Sequence, residues 1–149
     1  MGAEITQHPD LARAVVSSVG LYYMLRMELD PNGSFNTTEY GSVKDPRHFQ
    51  ALYAYSPYHH VKKGEKYPAV LMLTGANDGR VNPMQSRKFA AGLQAATSSG
   101  LPVLLRISTT SGHGVGSALS ERIDQQADQL AFLFEQLGMT PPASGLYHD

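Results

Sequence analysis

The stretch Pro68-Ala69-Val70-Leu71-Met72-Leu73-Thr74, followed directly by Gly75-Ala76-Asn77-Asp78-Gly79-Arg80-Val81, decides the fold. Its first half is a continuous apolar run of strand length with no polar alternation. That is the composition of a strand covered on both faces, as parallel sheets require. Its second half is turn chemistry that sets an acid and an arginine just past the strand. Downstream, Asn82-Pro83 is a cap followed by proline and predicts a helix to about Ser98, with Phe89, Leu93 and Ala96 on one face and Gly100 ending it. Pro102 to Ser108 reads as another strand. Ser117 to Leu137 reads as the longest helix, with Ile123, Ala127, Leu130 and Phe134 at helical spacing.

Upstream, Arg13 to Ser18 reads as a buried strand, and Met1 to His8 as a helix without a cap, cut short by Pro9. Leu21 to Met27 has the pattern of a short helix, and Asp30-Pro31-Asn32-Gly33 is a turn cluster. The polar stretch from there to Asp45 reads as irregular. Asp45-Pro46 caps a helix that runs to about Tyr55 and stops before Ser56-Pro57. Strands alternating with helices mean a parallel sheet covered by helices, with chemistry at the carboxyl ends of the strands. Residues 1–139 form one unit. Residues 140–149, rich in Pro, Ser and Gly, are expected to be a disordered tail.

The chain has 149 residues, 42% of them hydrophobic and 17% charged, which suits a single packed domain. Its net charge of −1 gives no global reason to bind nucleic acid or an anionic membrane. There is no cysteine, so disulfides, cysteine-ligated metals and a cysteine nucleophile are excluded. No apolar run reaches the ~18 residues of a membrane span, and no basic-then-apolar leader opens the chain. A soluble protein of the cytoplasm or periplasm is expected.

Two loops stand out. Asp78 follows one strand, and His113, in Ser111-Gly112-His113-Gly114, follows the next. Loops that end neighbouring parallel strands meet above the sheet. An acid on one and a histidine on the other form the orienting half of a Ser-His-Asp triad. Acid before histidine is also the order of α/β-hydrolases, in which the serine comes first. No Gly-x-Ser-x-Gly occurs in the chain, so the nucleophile is expected shortly before Met1.

Taken together, Thr6-Gln7-His8-Pro9, Tyr40-Gly41, Tyr55-Ser56-Pro57-Tyr58-His59-His60-Val61, Asn77-Asp78-Gly79-Arg80-Val81 and Ser111-Gly112-His113-Gly114 resemble the C-terminal part of the peptidase domain of the prolyl oligopeptidase family of serine peptidases. The resemblance implies an α/β fold, namely a partial α/β-hydrolase with its last three parallel strands and flanking helices. It implies Asp78 as triad acid and His113 as triad base. It places Arg80 where the family binds a substrate carbonyl, and Tyr40 and Val81 where the family lines the pocket for the residue before the cut bond. It implies short peptides as substrates of the intact parent, and no cofactor. Well-known members carry a tryptophan just before the Thr-Thr-acid-Tyr stretch, to stack on proline. Here that region reads Phe35-Asn36-Thr37-Thr38-Glu39-Tyr40, and the chain has no tryptophan.

Competing patterns fail on context. Gly112-x-Gly114-x-x-Ser117 imitates a dinucleotide fingerprint, but no strand follows the last helix. His59-His60 lacks a third metal ligand at useful spacing, and Lys62, Lys63 and Lys66 read as a solvated turn. The remaining alternative is a stand-alone, non-catalytic α/β binding or assembly module. Self-association is expected through the Arg13–Ser18 strand, whose apolar edge would lack its neighbour.

Overall fold

In the computed structural model, residues 1–114 and 118–140 are described. The disordered tail expected over 140–149 lies outside them from residue 141 onward, as does Ser117. Three strands, β1 (Ala14–Ser18), β2 (Ala69–Gly75) and β3 (Val103–Ser108), form a parallel sheet in the spatial order β1-β2-β3. Val15, Val70 and Val103 share one register row. All seven residues of the central strand β2 are buried, as its unbroken apolar run requires.

Alternate residues of β2 feed two cores. Val70 and Met72 pack with Phe89 and Leu93 of α4 (Met84–Ala96), and with Ile5 of α1 (Gly2–Gln7). Ala69, Leu71 and Leu73 face the other way, against Phe132 of α5 (Leu119–Gln136). Tyr22 stacks on Phe89 at 4.6 Å between ring centres, and its hydroxyl shares a 2.7 Å hydrogen bond with that of Ser17 on β1. Burial pushes the Tyr22 phenol upward, so it stays neutral inside the core.

The caps form as read. The Asp45 carboxylate accepts from the Arg47 amide at 2.8 Å and opens α3 (Pro46–Tyr55). The Asn82 side chain accepts from the Met84 amide at 3.0 Å. Three local readings are corrected. The stretch after Gly33 is a helix, α2 (Gly33–Tyr40), not irregular chain. Its residues carry no amphipathic stripe. It forms because Gly33 lets it press on the preceding 3₁₀ turn Met24–Leu29, where an added Cβ would lie 2.0 Å from the Met27 carbonyl oxygen. That 3₁₀ turn stands where Leu21 to Met27 reads as a short helix. Third, α4 ends at Ala96, and Gly100 instead shapes the turn into β3 with φ of 72°.

Residues between β1 and β2 make a small core of their own from Met24, Met27 and Leu52. Ser56 ties it down. Its hydroxyl accepts from the Met24 amide at 3.1 Å, which leaves the hydroxyl hydrogen to donate to His59 Nδ1 at 2.8 Å. His60 Nδ1 donates to the Ser56 carbonyl, and both imidazoles lie against the Tyr53 ring. The adjacent histidines therefore converge rather than point apart.

Burial, with His60 nearby as a second cause, lowers the His59 pKa. A lowered imidazole pKa means that the unfolded chain binds more protons below about pH 6.5. The contribution is thus complete above that pH and is lost as the pH falls through it. Urea midpoints measured from pH 7 to 5 should fall more steeply for the parent chain than for His59→Gln. Equal slopes would rule out His59 as the cause.

Candidate active site

The sheet brings the β2 and β3 loops together. Gly75 ends β2 in van der Waals contact with the histidine loop. A Cβ there would lie 2.2 Å from the Gly112 carbonyl oxygen and 2.5 Å from that of Ser111. Three hydrogen bonds stitch the loops, and a fourth braces the histidine loop on itself. The Ala76 amide donates to the Ser108 carbonyl at 2.7 Å, and the Asn77 amide to that of Ser111 at 3.3 Å. The Asn77 side chain reaches the Thr109 carbonyl at 3.1 Å, and the Ser111 amide reaches the Ser108 hydroxyl at 3.1 Å.

On that platform Asp78 and His113 meet. The Asp78 side chain is fully buried and accepts at both oxygens. Oδ1 takes the amides of Arg80 at 2.9 Å and Val81 at 2.8 Å, and Oδ2 lies 2.8 Å from His113 Nδ1. A buried carboxylate held by two amides cannot swing away, so it fixes the imidazole plane and keeps the neutral ring's proton on Nδ1. His113 Nε2, the acceptor nitrogen, is left for a reacting group. Among the described residues no serine hydroxyl lies within hydrogen-bond distance of His113.

A cleft of about 480 Å³ opens beside His113 and is lined by Tyr40, Arg80 and Val81 together with Met24, Asn36, Glu39, Tyr55 and Pro57. Four residues singled out from the sequence therefore share one cleft wall, and Asp78 stands behind it. The reading from sequence missed Asn36 and Glu39. With Tyr40 they sit at spacings of three and four on α2, a signal usable only once that segment is known to be helical. Burial raises the Tyr40 phenol pKa, and the neighbouring Glu39 carboxylate raises it further by charge and hydrogen bonding. The α2 side is anchored to the acid loop where the Asn32 side-chain amide donates to the Gly79 carbonyl.

A smaller cavity of about 110 Å³ lies at the strand ends, between Val19, Thr74, Ser111 and His113. The buried Thr74 hydroxyl has no partner among the described residues. Val19 lines both cavities with φ of 47°, a left-handed conformation that β-branched residues rarely adopt. Strain of this kind collects where surrounding structure imposes a geometry.

Comparison with known proteins gives consistent matches. Residues 1–140 match the model of the prolyl oligopeptidase family. The chain is 38% identical over 140 residues to a prolyl endopeptidase of Elizabethkingia meningoseptica, covering 93% of this chain and 20% of that protein. It is 38% identical over 142 residues to the prolyl endopeptidase of Dictyostelium discoideum, covering 93% and 19%. Among solved structures, a prolyl endopeptidase aligns with a TM-score of 0.90 at 41% identity, covering 93% of this chain and 20% of that one. Prolyl oligopeptidase B of Galerina marginata aligns at 0.87 and 30% identity, with the same coverage. The three parallel strands and their helices are thus part of an α/β-hydrolase domain. The chain spans about one fifth of the length of these relatives. Among the described residues no helix is long and apolar enough to cross a membrane.

Proposed function

The chain belongs to the prolyl oligopeptidase family, and on that premise we propose that it supplies the acid–histidine half of a serine peptidase site for short peptides. The nucleophilic serine comes from a segment outside these residues. One observation carries the reading: the fully buried Asp78 carboxylate is bonded to His113 Nδ1 at the mouth of a cleft.

The chemistry follows from that geometry. His113 Nε2 takes the proton of the serine hydroxyl as its oxygen attacks the peptide carbonyl carbon. Asp78 holds the imidazole in place and stabilises the imidazolium. Arg80 reaches a carbonyl oxygen of the substrate backbone, which positions the peptide in the cleft. Tyr40 and Val81 contact the side chain before the cut bond. The imidazolium then gives its proton to the leaving amine, and water releases the acyl group by the same route. Where other members place a tryptophan to stack on proline, this chain reads Phe35-Asn36-Thr37-Thr38, and of these Asn36 lines the cleft, beside the rings of Tyr40 and Tyr55.

On its own the chain should not turn over activated proline esters or be labelled by a fluorophosphonate, because the rate enhancement of a triad needs its nucleophile. Its histidine should nonetheless be set. Nitrogen-15 spectra of the chain should show His113 as the Nδ1–H tautomer, and Asp78→Asn should disturb that assignment. An Nε2–H tautomer indifferent to Asp78→Asn would remove the catalytic reading and leave a non-catalytic binding module. Turnover abolished by Asp78→Asn would place a nucleophile within the chain, with Ser117 and Ser120 the first to test.

A further inference from the structure

Helix α4 buries Phe89 and Leu93 on its core face, and Gln85 stands one turn earlier in the same row. Gln85 is only 4% exposed. An amide in an apolar row must find partners for its oxygen and its nitrogen. All of them come from the segment between β1 and β2. The side-chain oxygen accepts from the amides of Tyr22 at 3.0 Å and Tyr23 at 2.7 Å, and the nitrogen donates to Asp30 Oδ2 at 2.8 Å. Asp30 Oδ1 accepts in turn from the Asn82 side-chain nitrogen at 3.0 Å. Apart from the bond of Asn32 to Gly79, every side-chain hydrogen bond among the described residues that joins 21–61 to 76–96 ends on Gln85 or Asp30.

The direction of this chain of bonds is fixed. Two backbone amides hold the Gln85 oxygen, so its NH2 group must face Asp30. The Met84 amide holds the Asn82 oxygen at 3.0 Å, so that NH2 group faces Asp30 as well. Only a group that accepts at both oxygens fits between them, and a carboxylate does. Asp30 also joins two elements of the cleft wall. It ends the 3₁₀ turn Met24–Leu29, and its carbonyl accepts from the amide of Gly33, the first residue of α2, at 2.7 Å. Met24 on that turn and Asn36, Glu39 and Tyr40 on α2 form one wall of the cleft. Arg80 and Val81, just before Asn82, belong to the other.

We infer that Asp30, Gln85 and Asn82 are a positioning brace that sets the spacing of the two cleft walls, independently of the Asp78–His113 pair. The inference rests on the cleft being the peptide site proposed above. None of the three lines the cleft, so each acts through the residues it holds. A wall misplaced by about 1 Å is enough to spoil the orientation of a substrate while the proton relay stays whole.

Amide exchange and nitrogen-15 spectra of the 149-residue chain test this by reversing a donor. Asp30→Asn sets an NH2 group against one of its two donors, and no flip of a side chain removes the mismatch without moving it to a backbone amide. Exchange at the Tyr22 and Tyr23 amides should quicken about tenfold. The signals of Met24 and Tyr40 should shift, while the downfield His113 Nδ1 proton stays in place. Adding Gln85→Glu supplies an acceptor opposite the new NH2 group and still accepts from both tyrosine amides. The double variant should return to within about twofold of the parent. A double variant no better than the single one would overturn the inference, since a merely structural loss is not repaired by a second substitution. So would Met24 and Tyr40 signals unmoved by Asp30→Asn, or loss of the His113 signal with it. Should Asp30→Asn fail to fold, a double variant with parent-like exchange still carries the inference, and one without it refutes it. A parent chain with His113 as the Nε2–H tautomer would instead end the peptidase reading, which the exchange data do not touch.

Discussion

Gly75→Ala is expected to lower folding stability by about 3 kcal/mol, the upper range for forcing atoms into a packed interior, and to part His113 from Asp78. The added methyl would lie 2.2 Å from one carbonyl oxygen and 2.5 Å from the next, both backbone. Backbone cannot rotate out of the way as a side chain can. The histidine loop must therefore lift off the end of β2, taking with it the amide contacts that stitch it to the acid loop. Two measurements check this. Urea unfolding gives the stability change, and the downfield signal of the His113 Nδ1 proton reports the pair. Gly79→Ala, four residues further along the same loop, is the matched control. Nothing stands within 4 Å of a Cβ there, and the change should be near neutral. If both variants behave alike, the contact at Gly75 is not what holds the two loops in register.

Phe89→Ala should cost still more, about 4 kcal/mol, as removal of a fully buried aromatic ring usually does. Phe89 has no exposed surface and stacks on Tyr22. The ring lies between α4 and the sheet, so its loss leaves a cavity at the centre of the larger core. The damage should spread toward the cleft. The Gln85 side-chain oxygen on the same helix accepts from the amides of Tyr22 at 3.0 Å and Tyr23 at 2.7 Å, and its nitrogen donates to Asp30 at 2.8 Å. Loosening α4 slackens that anchor and with it the loop that carries Met24 into the cleft. Chemical denaturation of the variant beside Phe35→Ala makes the comparison. Phe35 is 77% exposed, so its truncation should move the midpoint little. A small effect at Phe89 would mean that the core closes around the missing ring.

The strands and capped helices were legible because their signals are local. An unbroken apolar run specifies a covered strand, and Asp45-Pro46 or Asn82-Pro83 specifies where a helix begins. Asp78 and His113 were legible because each stands on a loop at the end of such a strand. What failed depends on distant contacts. The segment Gly33–Tyr40 has no stripe of its own and is helical because it docks on a turn, so the part of the cleft wall bearing Asn36 and Glu39 was invisible. The periodicity in α5 identified a helix correctly but could not say which way it faces. Ionic contacts from Arg106 hold Glu121 and Asp128 toward β3, and Ile123, Leu130 and Leu137 turn out to solvent.

The pairing of Ala14 with Ala69 joins positions more than fifty residues apart, whereas β2 reaches β3 through a single helix. Closing the longer loop carries the larger entropic penalty and comes with fewer early rewards. The β2–α4–β3 unit is therefore the natural nucleus, and β1 joins it late, bringing the whole intervening excursion with it. Asp78 lies within that unit and His113 on the loop that directly follows it, while Tyr40 and Met24 arrive with the latecomer. The proton-relay pair can thus form before there is a pocket to hold anything, and the first step of unfolding should erase recognition while leaving that pair joined.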